Sequence, residues 1–247
     1  MAGPPHLTEP RLGVLAFGDS ITNGGGELQW GVALQSWALW VARGLGVPFT
    51  SFATDGATVA DILAAQIPAA ARQIRGQYDL GCLYIGVNDV RGFEWEAERF
   101  AADFRQALQY LSDHCDRVLS LTAPLDLGRP RAGAKVGELN TVIERVAAEQ
   151  GALVLDLSHF GARNLVMTDH VHPTAFGQIA IAERALDVLA ADGLPILAWP
   201  SSLIQYELTW RKRLRADITY AYRHLKVSLR ALALTTYFRF SHPRNRR

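Results

Sequence analysis

Cysteine is scarce: the 247 residues hold only Cys82 and Cys115. Neither stands in a Cys-x-x-Cys or Cys/His spacing, so a disulfide scaffold and a structural zinc site are both excluded. No metal and no other cofactor is expected, and a reduced, cytoplasmic setting is the default. Long apolar runs are missing too. None reaches eighteen residues, so no membrane-spanning helix is indicated. The first eleven residues carry prolines and charges and no apolar h-region, so no signal peptide is read there. The Gly24-Gly25-Gly26 run lacks a following Gly-Lys-Ser/Thr, which removes a phosphate loop. Acidic residues are nearly absent from one end. From Trp199 onward eleven Lys/Arg face two Asp/Glu, whereas the remainder has fourteen against twenty-two. A net charge of +1 therefore hides a basic C-terminal segment on an acidic body.

What is present is an alternation of strands and helices. Short apolar runs at Val14–Phe17, Val47–Ala53, Leu80–Ile85, Arg117–Leu121 and Leu153–Leu157 read as strands. They lack the polar/apolar alternation of a half-exposed sheet, which marks a parallel sheet covered on both faces. Helices are expected at Gln29–Leu45, Val59–Arg75 (disturbed at Pro68), Glu94–Cys115, Val136–Gln150 and Thr174–Ala191. At 49% hydrophobic residues the chain can bury a sizeable core.

Polar clusters interrupt this pattern at strand ends and in the last long loop: Gly18-Asp19-Ser20, Gly56, Gly86-Val87-Asn88-Asp89 and Asp169-His170-Val171-His172-Pro173. In a parallel sheet the carboxyl ends of the strands share one edge, where ligands bind. The inventory suits acyl transfer. A hydroxyl needs a base, which histidine supplies; a carboxylate on the other ring nitrogen fixes its tautomer; and N–H donors must face the oxyanion. Each residue also has a plainer job. Asp19 or Ser20 can cap a helix, Gly56 can serve a turn, and Asn88 and Asp89 can form an Asx turn capping the segment after them. Asp169 can be a surface acid, and a lone His172 is more often structural than catalytic.

Taken in order, these four blocks resemble the SGNH (GDSL) hydrolase family over roughly residues 12 to 190. The resemblance implies a flavodoxin-like three-layer α/β/α sandwich with a five-stranded parallel sheet. It implies Ser20 as nucleophile, His172 as general base and Asp169 as the carboxylate orienting it. The Ser20 amide, the Gly56 amide and the Asn88 side chain are implied as the oxyanion hole. The implied activity is hydrolysis of carboxylic esters or thioesters of lipids, acyl-sugars or small acyl donors, without a metal. An acyltransferase using the same acyl-enzyme is the alternative, and a non-catalytic protein acting through its basic tail is another. Many relatives carry an asparagine shortly before the block-two glycine; here the stretch is Ser51-Phe52-Ala53-Thr54-Asp55. His170 also replaces a usually small or apolar residue, and solvent is its expected place.

Trp30, Trp37, Phe93 and Trp95 are candidate pocket walls, although core is the commoner fate of such residues. Arg129 and Arg131 lie in the Pro/Gly/Arg-rich loop after the fourth strand, where a solvated charge outranks an anion clamp. The hydrolase unit is expected over 1–194, with 195–247 a linker and basic helical extension. In that extension Leu214, Ile218, Ala221, Tyr222, Leu225, Leu229 and Leu232 form one apolar stripe at helical spacing. Lys212, Arg215, Arg223, Lys226 and Arg230 fall roughly opposite. The stripe is expected to pack on the body or on a second subunit with the charges solvated. A peripheral membrane contact is the alternative. No aromatic–basic recognition motif is present, so no nucleic acid is expected. Ser241–Arg247 reads as a disordered basic end.

Overall fold

The computed structural model describes residues 12–92, 94–127, 132–206 and 209–241. Phe93, Arg129, Arg131 and the basic end from residue 242 on fall outside them, as do the side chains of Arg230 and Leu232. A five-stranded parallel sheet forms the centre, in the order β2-β1-β3-β4-β5. The strands are β1 (Val14–Gly18), β2 (Phe49–Ser51), β3 (Leu80–Tyr84), β4 (Val118–Leu121) and β5 (Leu153–Leu155). Every residue of β1, β3 and β4 is buried, as expected of strands covered on both faces. Burying one such Val, Leu or Phe side chain contributes about 1.5–3 kcal/mol.

Helix α1 (Trp37–Leu45) packs against α7 (Ala175–Ala191) on one face of the sheet. On the other lie α5 (Ala97–His114), α6 (Lys135–Glu149) and the segment 59–73, giving the three-layer flavodoxin-like sandwich. The strand order reverses between β1 and β3, so the sheet opens a crevice between their carboxyl ends.

Two elements differ from the sequence reading. The first helix begins at Trp37 rather than Gln29, because Trp30 and Gly31 both take positive φ angles, 50° and 85°. The Ser36 hydroxyl then caps it by accepting from the Ala38 amide at 3.2 Å. The segment 59–75 is split into α2 (Val59–Asp61), a π-helical turn (Ile62–Gln66) and α3 (Ile67–Gln73), with Pro68 in the first turn of α3. A proline is tolerated there because its missing N–H is unused.

A short helix α4 (Val87–Arg91) directly follows β3. Beyond α7 the chain is docked: the Leu197 and Ala198 amides donate to Gly44 O at 2.8 and 3.2 Å. The Ser201 amide donates to Glu183 Oε1 at 3.0 Å, opening a 3-10 turn at Pro200–Leu203. The last element is α8 (Trp210–Ser241). The apolar stripe does not pack on the body, one of the two fates expected of it. Leu214, Ile218, Tyr222, Leu225 and Leu229 point away from the body, while Asp217 and Arg223 form ion pairs with Arg163 and Glu27. These two ion pairs turn the Asp217/Arg223 side of the helix to the body and leave the apolar stripe outside.

Candidate active site

β1 ends at Gly18 with φ at 155°, and a Cβ there would come within 2.6 Å of Tyr84 O on the neighbouring strand. The strand end is therefore free of side chain and held close to β3. Asp19 turns inward and its Oδ1 accepts from the Ile21 amide at 2.9 Å. That turn brings Ser20 to the β1/β3 crevice, half-buried, with its Oγ 2.9 Å from His172 Nε2.

His172 comes from the loop before α7, which is folded as a small hairpin. The Met167 amide donates to His172 O at 2.8 Å, and Val166 bridges Pro173 across it. The Thr174 hydroxyl accepts from the Gly177 amide at 3.1 Å and caps α7. Asp169 sits at the hairpin tip. Its Oδ1 accepts from the Val171 and His172 amides at 2.9 and 3.0 Å, and its Oδ2 lies 2.6 Å from His172 Nδ1. Partial burial works against its charge, yet the bonds from His172 and the two amides prevail and hold the carboxyl down at about 2. The same contact with Asp169 raises His172. Serine, imidazole and carboxylate thus stand in one hydrogen-bonded line.

The other predicted residues meet this line from the far side of the crevice. The loop after β2 runs beside the end of β1, with the Thr54 amide donating to Gly18 O at 3.2 Å. Gly56 follows with φ at 77°, a conformation that suits glycine, and its missing Cβ faces open space. Asn88 lies in the first turn of α4. Its Nδ2 donates to Ala57 O at 2.9 Å and lies 3.5 Å from Asp19 Oδ2, which ties blocks one, two and three together. Among the described residues neither the Ser20 nor the Gly56 amide donates to a protein acceptor.

Two acids sit behind this edge, Asp19 buried and Asp89 half-buried. Burial pushes Asp19 up to about 7, against the Ile21 amide bond that lowers it. Burial likewise lifts Asp89 to about 6. Asp89 does not cap its own segment. Its Oδ1 accepts from the Val59 amide at 3.1 Å, so it caps α2 across the crevice.

Sequence reasoning missed two amide side chains that hold the edge. Gln66, in the π-helical turn, accepts from the Gly18 amide at 3.1 Å. It donates to Gly18 O at 2.8 Å and to Thr54 Oγ1 at 3.2 Å. Gln178, in the first turn of α7, accepts from the Trp37 amide at 2.8 Å and donates to Ile21 O and Gly25 O at 3.0 and 3.1 Å. Both are buried, and between them they fix the backbone before and after Ser20. Each looked like one polar residue on a helix, and no spacing marked it.

The candidate walls divide. Trp37 is fully buried core, its Nε1 donating to Thr22 Oγ1 at 3.3 Å. Trp95 lines a 190 Å³ cleft with Thr58, Asn88 and Asp89. Trp30 lines a 1140 Å³ crevice with Val166, Met167 and residues of α8, on the far side of the His172 hairpin from Ser20. His170 is half-buried rather than solvated. Its φ is 57°, its Nδ1 lies 3.5 Å from Asp126 Oδ2, and its ring is 5.6 Å from that of His224 on α8. Among the described residues no cluster of His, Cys, Asp or Glu could hold a metal ion.

Comparison with known proteins agrees with this architecture. An acetyl xylan esterase variant, Axe2 from Geobacillus stearothermophilus, is 20% identical with a TM-score of 0.57, covering 75% of this chain and 96% of its own. A member of the lipolytic G-D-S-L family from Veillonella parvula is 23% identical with a TM-score of 0.59, over 72% of this chain and 98% of its own. LAE5, an α/β hydrolase enzyme from the metagenome of Lake Arreo, Spain, is 20% identical with a TM-score of 0.58, over 72% and 94%. At these identities the likeness is one of fold. No curated protein sequence matches the chain. The GDSL-like lipase/acylhydrolase family model matches residues 16–180, which span the sheet from β1 to β5 and the His172 hairpin, and the chain belongs to that family of hydrolases.

Proposed function

We propose that this protein cleaves carboxylic esters or thioesters through an acyl-enzyme on Ser20. The observation that carries the reading is the line Ser20 Oγ–His172–Asp169, at 2.9 and 2.6 Å, at the carboxyl end of β1. His172 Nε2 takes the hydroxyl proton as Oγ attacks the acyl carbonyl. Asp169 holds the ring in the tautomer whose Nε2 can accept that proton, and stabilises the imidazolium that results. The developing oxyanion is received by the Ser20 and Gly56 amides. Asn88 Nδ2 is the third donor, its hydrogens directed in the resting site at Ala57 O and, at the longer distance of 3.5 Å, at Asp19 Oδ2, the weaker of the two bonds being the one exchanged for the oxyanion. His172 returns the proton to the leaving alcohol or thiol, and water repeats the sequence to release the acid. The substrate is an ester of a lipid, an acylated sugar or a small acyl donor. The catalytic unit is residues 1–194, with 195–247 a linker and basic helical extension.

Intact-mass spectrometry after treatment with an organophosphonate serine probe tests this directly. Mass addition to wild type and none to Ser20→Ala is expected. Addition to neither, or equally to both, overturns it. Product analysis with and without an added alcohol then separates hydrolysis from acyl transfer.

A further inference from the structure

Six of the twelve large hydrophobic residues exposed on the described surface lie on the outward side of α8. Trp210, Leu214, Ile218, Tyr222, Leu225 and Leu229 are each between 50 and 69% exposed. At 100° per residue they fall on one stripe, about 30 Å long at the helical rise. The opposite side is committed to the body. Asp217 pairs with Arg163, Arg223 pairs with Glu27, and the Arg163 guanidinium lies 5.5 Å from the Tyr220 ring. His224 meets His170 there as well. The stripe cannot turn inward without breaking these contacts.

Arg211, Arg215 and Lys226 border the stripe, and the Arg211 guanidinium lies over the Trp210 ring at 5.4 Å. The charge pattern selects the occupant. Asp217 is the sole acid between Trp210 and Ser241, and it is spent on Arg163. Stripe-to-stripe pairing with a second copy would bring two sets of flanking cations together with no acid to oppose them. An anionic interface has the reverse character, with acyl chains for the stripe and headgroup charge for the cations. Long basic side chains flanking an apolar face, with Trp and Tyr among it, suit a helix lying in that plane. Among the described residues no helix is long and apolar enough to cross a membrane.

We propose that α8 docks the protein on an anionic lipid surface, its outward stripe entering the headgroup–acyl boundary and Arg211, Arg215 and Lys226 resting among the headgroups. The docking stands apart from the ester-cleaving reading. Its test is co-sedimentation of the full chain with phosphatidylcholine–phosphatidylglycerol vesicles and with phosphatidylcholine alone. Wild type is expected to pellet with the anionic vesicles only. The variant Leu214→Gln/Ile218→Gln/Leu225→Gln alters side chains that are each at least half exposed, keeps its circular dichroism and stays in the supernatant. Arg211→Gln/Lys226→Gln lowers the partition at least about tenfold, and its residual binding is less sensitive to salt. Wild type left in the supernatant, or equal pelleting by the triple variant, overturns the proposal. So does sedimentation equilibrium showing a wild-type dimer that the triple variant converts to monomer, which would assign the stripe to a second copy. Turnover of a soluble short-chain ester without vesicles is read alongside. Its absence in wild type strikes the catalytic reading and leaves the docking result standing.

Discussion

The carboxyl edge of the sheet and the C-terminal helix are held by opposite means. At the edge, buried and half-buried side chains bond to backbone: Gln66 to Gly18, Gln178 to Ile21 and Gly25, Asn88 to Ala57, and Asp169 to the amides of its own hairpin. At α8 the ties are ion pairs between half-exposed side chains, Arg163 with Asp217 and Arg223 with Glu27. Buried bonds to backbone fix positions to a fraction of an ångström, because a misplaced partner leaves an unsatisfied group. Surface ion pairs fix only an approximate seat. A site that must align three side chains needs the first, and a helix that meets a deformable surface is served by the second.

The largest effect that would sharpen this contrast lies at Asp169. Asp169→Asn keeps an acceptor for the Val171 and His172 amides but no longer holds the imidazole in its working tautomer. Turnover should fall roughly ten-thousand-fold with little change in KM. The pH profile supplies a second check. His172 must be neutral to act as base and sits above 6.5 because of Asp169, so wild-type kcat/KM should rise with pH through a transition above 6.5. In Asp169→Asn the residual activity should show that transition moved downward. An unmoved limb would mean that Asp169 does not govern the base.

The next effect is on stability. Gln66→Leu removes three hydrogen bonds and leaves both the N–H and the C=O of Gly18 without their side-chain partner. A loss of about 3–4 kcal/mol in urea unfolding is expected, with a fall in kcat at temperatures where the variant is still folded. If Gln66→Leu unfolded like wild type, the edge would not depend on its buried amides.

The same residue shows where sequence reading stops. Strands were legible because burial on both faces demands continuous apolar runs, and the four polar blocks were legible because they interrupt those runs. Gln66 and Gln178 carry no such mark, since their partners are backbone atoms brought near only by the fold. Trp30 and Gly31 delayed the first helix through their backbone angles, which a helical spacing of Trp37, Trp40 and Val41 does not reveal. For α8 the stripe itself was plain. Which side the body would take was not, because Glu27 and Arg163, which decide it, lie far away in the chain.

A smaller effect concerns the acid buried beneath the serine. Asp19 is an acid raised by burial to about 7, so the native state holds its proton more tightly than the unfolded chain does. Its contribution to stability is complete below 3.8 and is lost as pH rises toward about 7, at about 1.4 kcal/mol per pH unit. Asp19→Asn removes this group's share, while Asp89 keeps its own and His172 keeps the larger part, which comes from Asp169. The decline in wild-type stability between pH 5.5 and 7 should therefore be shallower in the variant, by about 2 kcal/mol over that interval. Identical slopes would place the proton elsewhere.

The smallest expected effect belongs to α8, and its smallness is the point. Asp217→Ala removes one surface ion pair whose partners are half-exposed, 52% for Arg163 and 42% for Asp217. Solvent screening limits such a pair to less than about 1 kcal/mol, and global unfolding should shift by no more than that. Soluble-ester turnover should not change, because no atom of Asp217 reaches the Ser20 line. Hydrogen exchange is the finer probe. Amides of α8 should exchange faster in Asp217→Ala while those of β1 and α7 keep their protection, since the seat loosens without disturbing the sheet edge. Equal acceleration in both regions would mean that the helix and the edge unfold as one unit, and that the contrast between buried and surface ties does not govern how this molecule opens.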